Sequence, residues 1–283
     1  FGGTSDASAS QAMFEACLGN DINFFDTAHT YNGGLSERFL GKFIKQDRKN
    51  LIIATKAGYT GGSGGDNILK QFDESRVRLD LDTIDILYLH RWDAETPLLE
   101  TFEILSRLQE SGKIRYIGVS NFAAWQVMKA QGVANLFGTQ IDIIQPMYSL
   151  IKRQAEVEIF PMALGEGIAV APYSPLGSGL LTGKYLSGGT GRLSTDKRYA
   201  ARYGQDWMGE TAQGLSRLAN EIGIDAATLA VAWVAQHTAV TAPIISARSV
   251  AQLQPSLEAR NLKLTDEAYD RIAALSVRPA PAT

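Results

Sequence analysis

Seven apolar stretches recur along the 283-residue chain, beginning near residues 23, 51, 84, 114, 141, 168 and 242, and most end in residues that ionise or hydrogen-bond. Stretches with helical spacing separate them. Strands alternating with helices call for right-handed βαβ crossovers and a parallel sheet. The strands are predominantly apolar, as expected when both faces are covered. No Gly-x-Gly-x-x-Gly follows the first strand, which disfavours a doubly wound nucleotide-binding sheet. Polar residues at successive strand ends instead fit an α/β fold of the (β/α)8 TIM-barrel type, whose active site is built from those ends. A closed barrel needs eight strands and seven are visible, so the first strand is expected to lie upstream of Phe1.

No linker or repeat divides the sequence, which is expected to form a single barrel domain over residues 1–283. Ser5 or Asp6 is expected to cap a helix running to about Leu18, with Met13, Phe14 and Cys17 on its apolar side. Ala242–Ser246 reads as the last strand, and the polar run from Ser187 to Asp206 as the least structured segment. A formal charge of −3 gives no electrostatic case for nucleic acid or a membrane surface, and no apolar run has the length of a membrane span. One cysteine, Cys17, rules out an internal disulfide and a cysteine-based zinc site. The three histidines, at 29, 90 and 237, show no ligand spacing, so no metal is expected. Together these features point to a cytoplasmic protein.

The sharpest local signal is Asn23-Phe24-Phe25-Asp26-Thr27-Ala28-His29-Thr30-Tyr31, an apolar strand that ends in a carboxylate with a phenol five residues on. Lys56, His90 and Asn121 end three later strands at the equivalent place. A phenol has a reference pKa of about 10 and is a poor acid at neutral pH. A buried ammonium beside it favours the phenolate, and a carboxylate keeps that ammonium charged and fixed. A nearby imidazole can orient a substrate carbonyl. Asp26, Tyr31, Lys56 and His90 would therefore make a tuned general acid of the kind carbonyl reduction needs. Singly, each residue has a plainer reading: a loop anchor, a core histidine, or a phosphate-binding or Schiff-base lysine.

Five segments carry a resemblance to the aldo-keto reductase superfamily: Phe25-Asp26-Thr27-Ala28 with Tyr31, Ile53-Ala54-Thr55-Lys56, Leu87-Tyr88-Leu89-His90, Gly112 through Phe122, and Tyr173-Ser174-Pro175-Leu176. The resemblance covers essentially the whole chain and implies a (β/α)8 barrel that moves hydride between NADPH and an aldehyde or ketone. It implies Tyr31 as acid/base, Lys56 and Asp26 as its tuning pair, and His90 as the substrate-orienting group. It further implies that Ser120, Asn121 and Gln145 hold the nicotinamide carboxamide and that Tyr173 stacks on the ring. Ser174, Leu176, Gly177 and Ser178 would lie against the pyrophosphate. Arg248, Ser249 and Gln252 would meet the adenosine 2′-phosphate, which favours NADPH/NADP+ over NADH. Two places depart from the family pattern: Ser246 stands where glycine is common, and Pro255-Ser256 where an acidic residue and an asparagine near the adenine are common.

Tyr59, Trp92 and His29 lie just beyond strand ends and are candidates for the wall of a pocket for a small carbonyl or alcohol substrate. Trp207 and the basic segment 192–203 are candidates for a lid. Two other classes compete with the reductase. One is a cofactor-retaining regulatory subunit with little turnover. The other is a barrel aldolase using Lys56 as a Schiff-base amine.

Overall fold

The computed structural model describes residues 1–281, except for the side chains of Ser187 and Arg192. It contains two compact units: Phe1–Gln145 with Arg248–Val250, and Pro146–Ala247 with Ala251–Thr283.

In the first unit, helices α1 (Ala7–Leu18), α2 (Leu35–Phe43), α3 (Gly65–Leu79), α4 (Leu98–Glu110) and α5 (Ala124–Leu136) alternate with strands β1 (Phe24–Asp26), β2 (Ile52–Ala57), β3 (Ile84–Leu89), β4 (Ile114–Ser120) and β5 (Ile143–Gln145). The strands pair in parallel and in chain order, as βαβ succession requires. The Asp6 carboxylate caps α1 by accepting from the Ala9 N–H at 2.8 Å. Met13 and Phe14 are buried, whereas Cys17 is half-buried, with its thiol pushed up to about 11 by burial. The core draws on both strands and helices: Ile53, Leu87 and Ile117 from the sheet and Phe72 and Leu105 from α3 and α4 are all closed to solvent.

In the second unit, α6 (Ile159–Glu166) leads into β6 (Ala169–Val170). After it come α7 (Arg192–Thr195), α8 (Lys197–Tyr203), α9 (Asp206–Ile222), α10 (Ala226–Gln236), α11 (Val250–Glu258) and α12 (Asp266–Ala273). Two expectations are corrected here. The stretch from Ala242 to Ser246 is not a strand: it contributes one parallel bridge, Tyr173 to Ile244. Pro243 has no N–H to give a ladder, so pairing narrows to Ile244 donating to the Pro172 carbonyl at 2.8 Å, with Thr241 and Ala242 donating to Val170. The run from Ser187 to Asp206, expected to be the least structured segment, carries α7 and α8. Asp196 caps α8 by accepting from the Arg198 N–H at 2.9 Å and also pairs with the Arg198 guanidinium, while Tyr203 is buried at the helix end. Among the described residues, no single helix is long and apolar enough to cross a membrane.

Candidate active site

Side chains alternate across a strand, so the parallel register decides which of them share a face. Asp26 pairs with Ala54, two residues before Lys56. Lys56 pairs with Tyr88, Tyr88 with Gly118, and Ser120 with Gln145. Asp26, Lys56, Tyr88, Ser120 and Gln145 therefore project from one face of the first unit's sheet, toward the C-terminal strand ends. His90 follows β3 with the same parity as Tyr88, and its N–H donates to the Ala57 carbonyl at 2.8 Å.

The register brings the sequence-predicted tetrad together. Lys56 is buried, and its ammonium donates to the Asp26 carboxylate in a very short contact and to the Thr27 carbonyl at 2.8 Å. Burial pulls the Lys56 pKa below the ordinary lysine value, against the opposing pull of Asp26 and, more weakly, Glu37. The same ammonium lies 4.9 Å from the centre of the Tyr31 ring, and that ring meets His90 edge-on at 5.7 Å. Tyr31 is 39% exposed, so its hydroxyl belongs to a side chain that solvent and solutes can reach. His90 is buried and its pKa falls to about 3, chiefly through desolvation and then through the nearby charges of Lys56 and Arg91. The imidazole is thus neutral at physiological pH, and its buried Nδ1 has no hydrogen-bond partner among the described residues.

The carboxamide-binding candidates form a connected set. Asn121 takes a left-handed backbone at φ 60°, and its side-chain amide donates to the His90 carbonyl at 2.9 Å and to Ser120 Oγ at 3.1 Å. Ser120 in turn donates to the Gln145 carbonyl at 2.9 Å. The Gln145 amide donates to Asp26 Oδ1 at 3.0 Å, so this glutamine also steers the carboxylate that holds Lys56. A ring of fixed amide and hydroxyl groups beside a neutral imidazole has the donor and acceptor chemistry of a nicotinamide carboxamide. Arg248 is exposed, and its backbone carbonyl is tied to Ser5 Oγ at 3.1 Å. Ser249 beside it is half-exposed. The amide and hydroxyl groups of Ser120, Asn121 and Gln145 fit a nicotinamide cofactor.

In the second unit, Tyr173 lies where three segments pair, bridged to Met147 and Ile244. Ser174, Gly177 and Ser178 have left-handed backbones. The Gly177 N–H is committed to the Ser174 carbonyl at 3.0 Å, and the next turn closes on Leu176. Gln252 is exposed on α11. The departures at Pro255 and Ser256 face packing: Ser256 is buried, and the Pro255 carbonyl accepts from Thr228 at 2.8 Å.

Among the wall candidates, the Tyr59 ring lies 4.8 Å from His90 with the Arg91 guanidinium 5.0 Å from its centre. Trp92 instead packs edge-on against Phe122 and Trp125, at 5.3 and 5.6 Å. His29 Nε2 is bound to Glu74 at 2.7 Å, which makes it part of a polar network. Trp207 donates to Gln205 at 2.7 Å within its own helix start. Sequence reasoning missed Glu37 and Arg78. Glu37 is a fully buried carboxylate on α2, beside Thr55, the neighbour of Lys56. Its readable signal was an acid in the first turn of a helix that begins directly after the glycines at 33 and 34.

The sequence model of the Aldo/keto reductase family matches residues 1–277. The "Uncharacterized oxidoreductase YrpG" of Bacillus subtilis is 33% identical, covering 94% of this chain and 86% of its own. The L-glyceraldehyde 3-phosphate reductase of Escherichia coli is 31% identical, covering 92% and 81%. A probable voltage-gated potassium channel subunit beta of Arabidopsis thaliana is 31% identical, covering 92% and 84%. The parallel, chain-ordered βα succession is that of the (β/α)8 barrel, and the chain belongs to the aldo/keto reductase family.

Proposed function

We propose that this protein reversibly reduces an aldehyde or ketone to an alcohol, with NADPH as reductant and Tyr31 as proton donor. The observation that carries the reading is the buried Lys56 ammonium, held by Asp26 and set 4.9 Å from the Tyr31 ring. When bound, the reduced nicotinamide supplies the hydride to the carbonyl carbon. Negative charge then develops on the carbonyl oxygen, and Tyr31 donates its hydroxyl proton there, leaving a phenolate. Lys56 stabilises that phenolate electrostatically, and Asp26 with Gln145 holds Lys56 in place. Neutral His90 orients the carbonyl by hydrogen bonding rather than by giving up a proton of an imidazolium. Ser120, Asn121 and Gln145 would hold the carboxamide, and Arg248, Ser249 and Gln252 the 2′-phosphate. Tyr173, Ser174, Leu176, Gly177 and Ser178 are the second unit's proposed cofactor contacts. Tyr59 and Trp92 are proposed to meet the substrate. A cytoplasmic location accords with the lone cysteine.

The Schiff-base reading is disfavoured because the Lys56 nitrogen already donates to a carboxylate and a carbonyl, acceptors that favour the ammonium over a nucleophilic amine. The regulatory reading has one specific support: relatives named as potassium channel beta subunits match over most of this chain. Fluorescence titration with NADPH and NADH, followed by NADPH consumption on aldehydes and ketones that include phosphorylated aldehydes, separates the two. NADPH binding with turnover that Tyr31→Phe abolishes is the expected result. NADPH binding without turnover on any of them favours the regulatory subunit.

A further inference from the structure

Tyr31 does its proposed work only if its loop holds still, and the structure shows what holds it. The backbone turns sharply just after the phenol: Asn32, Gly33 and Gly34 have φ of 50°, 63° and 85°, three left-handed residues in a row. Such a run is unfavourable in isolation and persists where surroundings fix it. Asn32 within the run donates to the Phe1 carbonyl at 2.8 Å, and the residues before it are held by Arg78, reaching over from α3. Its Nη1 donates to the His29 carbonyl at 3.0 Å and to Glu37 Oε2 at 3.1 Å. Its Nη2 donates to Glu74 Oε2 at 3.1 Å. Glu74 Oε2 is also bound to His29 Nε2 at 2.7 Å. His29 is therefore gripped twice, at its carbonyl by Arg78 and at its imidazole by Glu74, and the two grips are tied to each other.

The guanidinium also lies flat against the turn. A Cβ on Gly34 would fall 2.7 Å from it, so glycine is needed there for close approach as well as for φ. The far side of the clamp is anchored in the core, where Glu37 accepts from Thr55 Oγ1 at 2.6 Å, next to Lys56. One end thus holds the residue two before Tyr31, and the other abuts the residue before Lys56.

We propose that Arg78 and Glu74 are positioning residues that clamp the loop through His29 and so set the Tyr31 hydroxyl for proton transfer. The inference rests on Tyr31 being the proton donor. Arg78 is a poor first target, because removing it strands the buried Glu37 carboxylate and threatens folding. Glu74 and His29 are outer members of the ring, so Glu74→Ala and His29→Ala test the clamp in a folded protein.

Two readouts are needed. In hydrogen exchange, amides of residues 29–34 should exchange about tenfold faster in both variants, the rest of the first unit staying as in the wild type. In steady-state kinetics, kcat should fall by about ten- to a hundredfold, as small misplacements of a reacting group do. KM and the NADPH dissociation constant should stay within about twofold, and the solvent deuterium isotope effect on kcat should rise as proton transfer becomes slower. Glu74→Gln, which keeps an acceptor and a donor at the same length, should restore most of kcat. Unchanged exchange over 29–34, unchanged kcat, or a loss of kcat with no rise in the isotope effect overturns the clamp. Tyr31→Phe separates the two levels. If it retains turnover, the proton-donor reading fails. If it is inactive while Glu74→Ala and His29→Ala behave as wild type, only the clamp fails.

Discussion

His90 should make the protein acid-labile by a calculable amount, and replacing it should remove that lability. Its pKa is about 3 in the folded protein, against 6.5 for an ordinary imidazole, because the ring is desolvated and faces Lys56 and Arg91. Between those values the unfolded chain binds a proton that the folded chain does not. The stabilisation is complete above about pH 6.5 and is lost as the pH falls toward 3. Each unit of pKa difference corresponds to about 1.4 kcal/mol. From pH 7 to pH 4 the histidine should therefore cost the wild type about 3 kcal/mol, and the whole window about 5 kcal/mol. His90→Gln keeps a polar side chain that does not titrate. Urea denaturation of both proteins at pH 7 and pH 4 isolates the effect, because every other titrating group is common to the pair. The wild type should lose about 3 kcal/mol more than His90→Gln over that interval. Losses equal within about 1 kcal/mol would mean that His90 protonates freely in the folded state, and the argument for a neutral carbonyl-orienting imidazole would go with it.

Lys56→Met should lower stability by about 3–5 kcal/mol in urea denaturation at pH 7, because it strands the Asp26 carboxylate in the interior. The double variant with Asp26→Leu should recover part of that loss; no recovery would show that charge pairing is not what the lysine contributes. Gly118→Ala should cost about 1–3 kcal/mol and lower the melting temperature, since its Cβ would sit 2.3 Å from the buried Tyr88 ring on the neighbouring strand. Arg248→Ala should weaken NADPH by about 1.5–3 kcal/mol in fluorescence titration while leaving NADH nearly untouched. Equal losses for both cofactors would remove Arg248 from the phosphate site.

How far the fold was readable depends on what limits each element. The strands of the first unit were legible because runs such as Ile84–Leu89 are apolar at every position but Asp85, are buried along their whole length, and are bounded by turns. The last strand was read too long because Pro243 sits inside its apolar run, and a residue without an N–H cannot continue a ladder. Apolar composition reports burial and not pairing: Val170 and Ala171 are fully buried, yet β6 has only two residues. The run from Ser187 to Asp206 failed in the opposite sense. Its polarity suggested a loop, but Asp196 ahead of Lys197-Arg198-Tyr199 is an N-cap signal that outweighs composition.

The site divides along the same physical line. Asp26, Lys56 and His90 were legible because each is an ionisable residue interrupting an apolar strand at its end, and a charge in such a place needs a partner. Once the register is known, parity alone puts Asp26, Lys56, Tyr88 and Gln145 on one face. The clamp was not legible as a whole, because apart from the Glu74–Arg78 pair within α3 its contacts join a loop and two helices across 41 to 49 residues of chain. Nothing local distinguishes Arg78 from Arg76, two residues away in the same last turn of α3. Yet Arg76 pairs with Asp73 and Asp82 at the surface, whereas Arg78 joins a fully buried Glu37 to the loop that carries Tyr31. The difference is a rotation of about 200° around the helix axis, two residues at 3.6 per turn. Where periodicity fixes which face of α3 is inward, the inward arginine must find a carboxylate. Glu37, in the first turn of the preceding helix, is the buried acid the fold supplies. A buried ion pair of this kind contributes little net stability against a well-packed apolar pair. Its presence beside Lys56 is therefore better explained by what it positions than by what it stabilises.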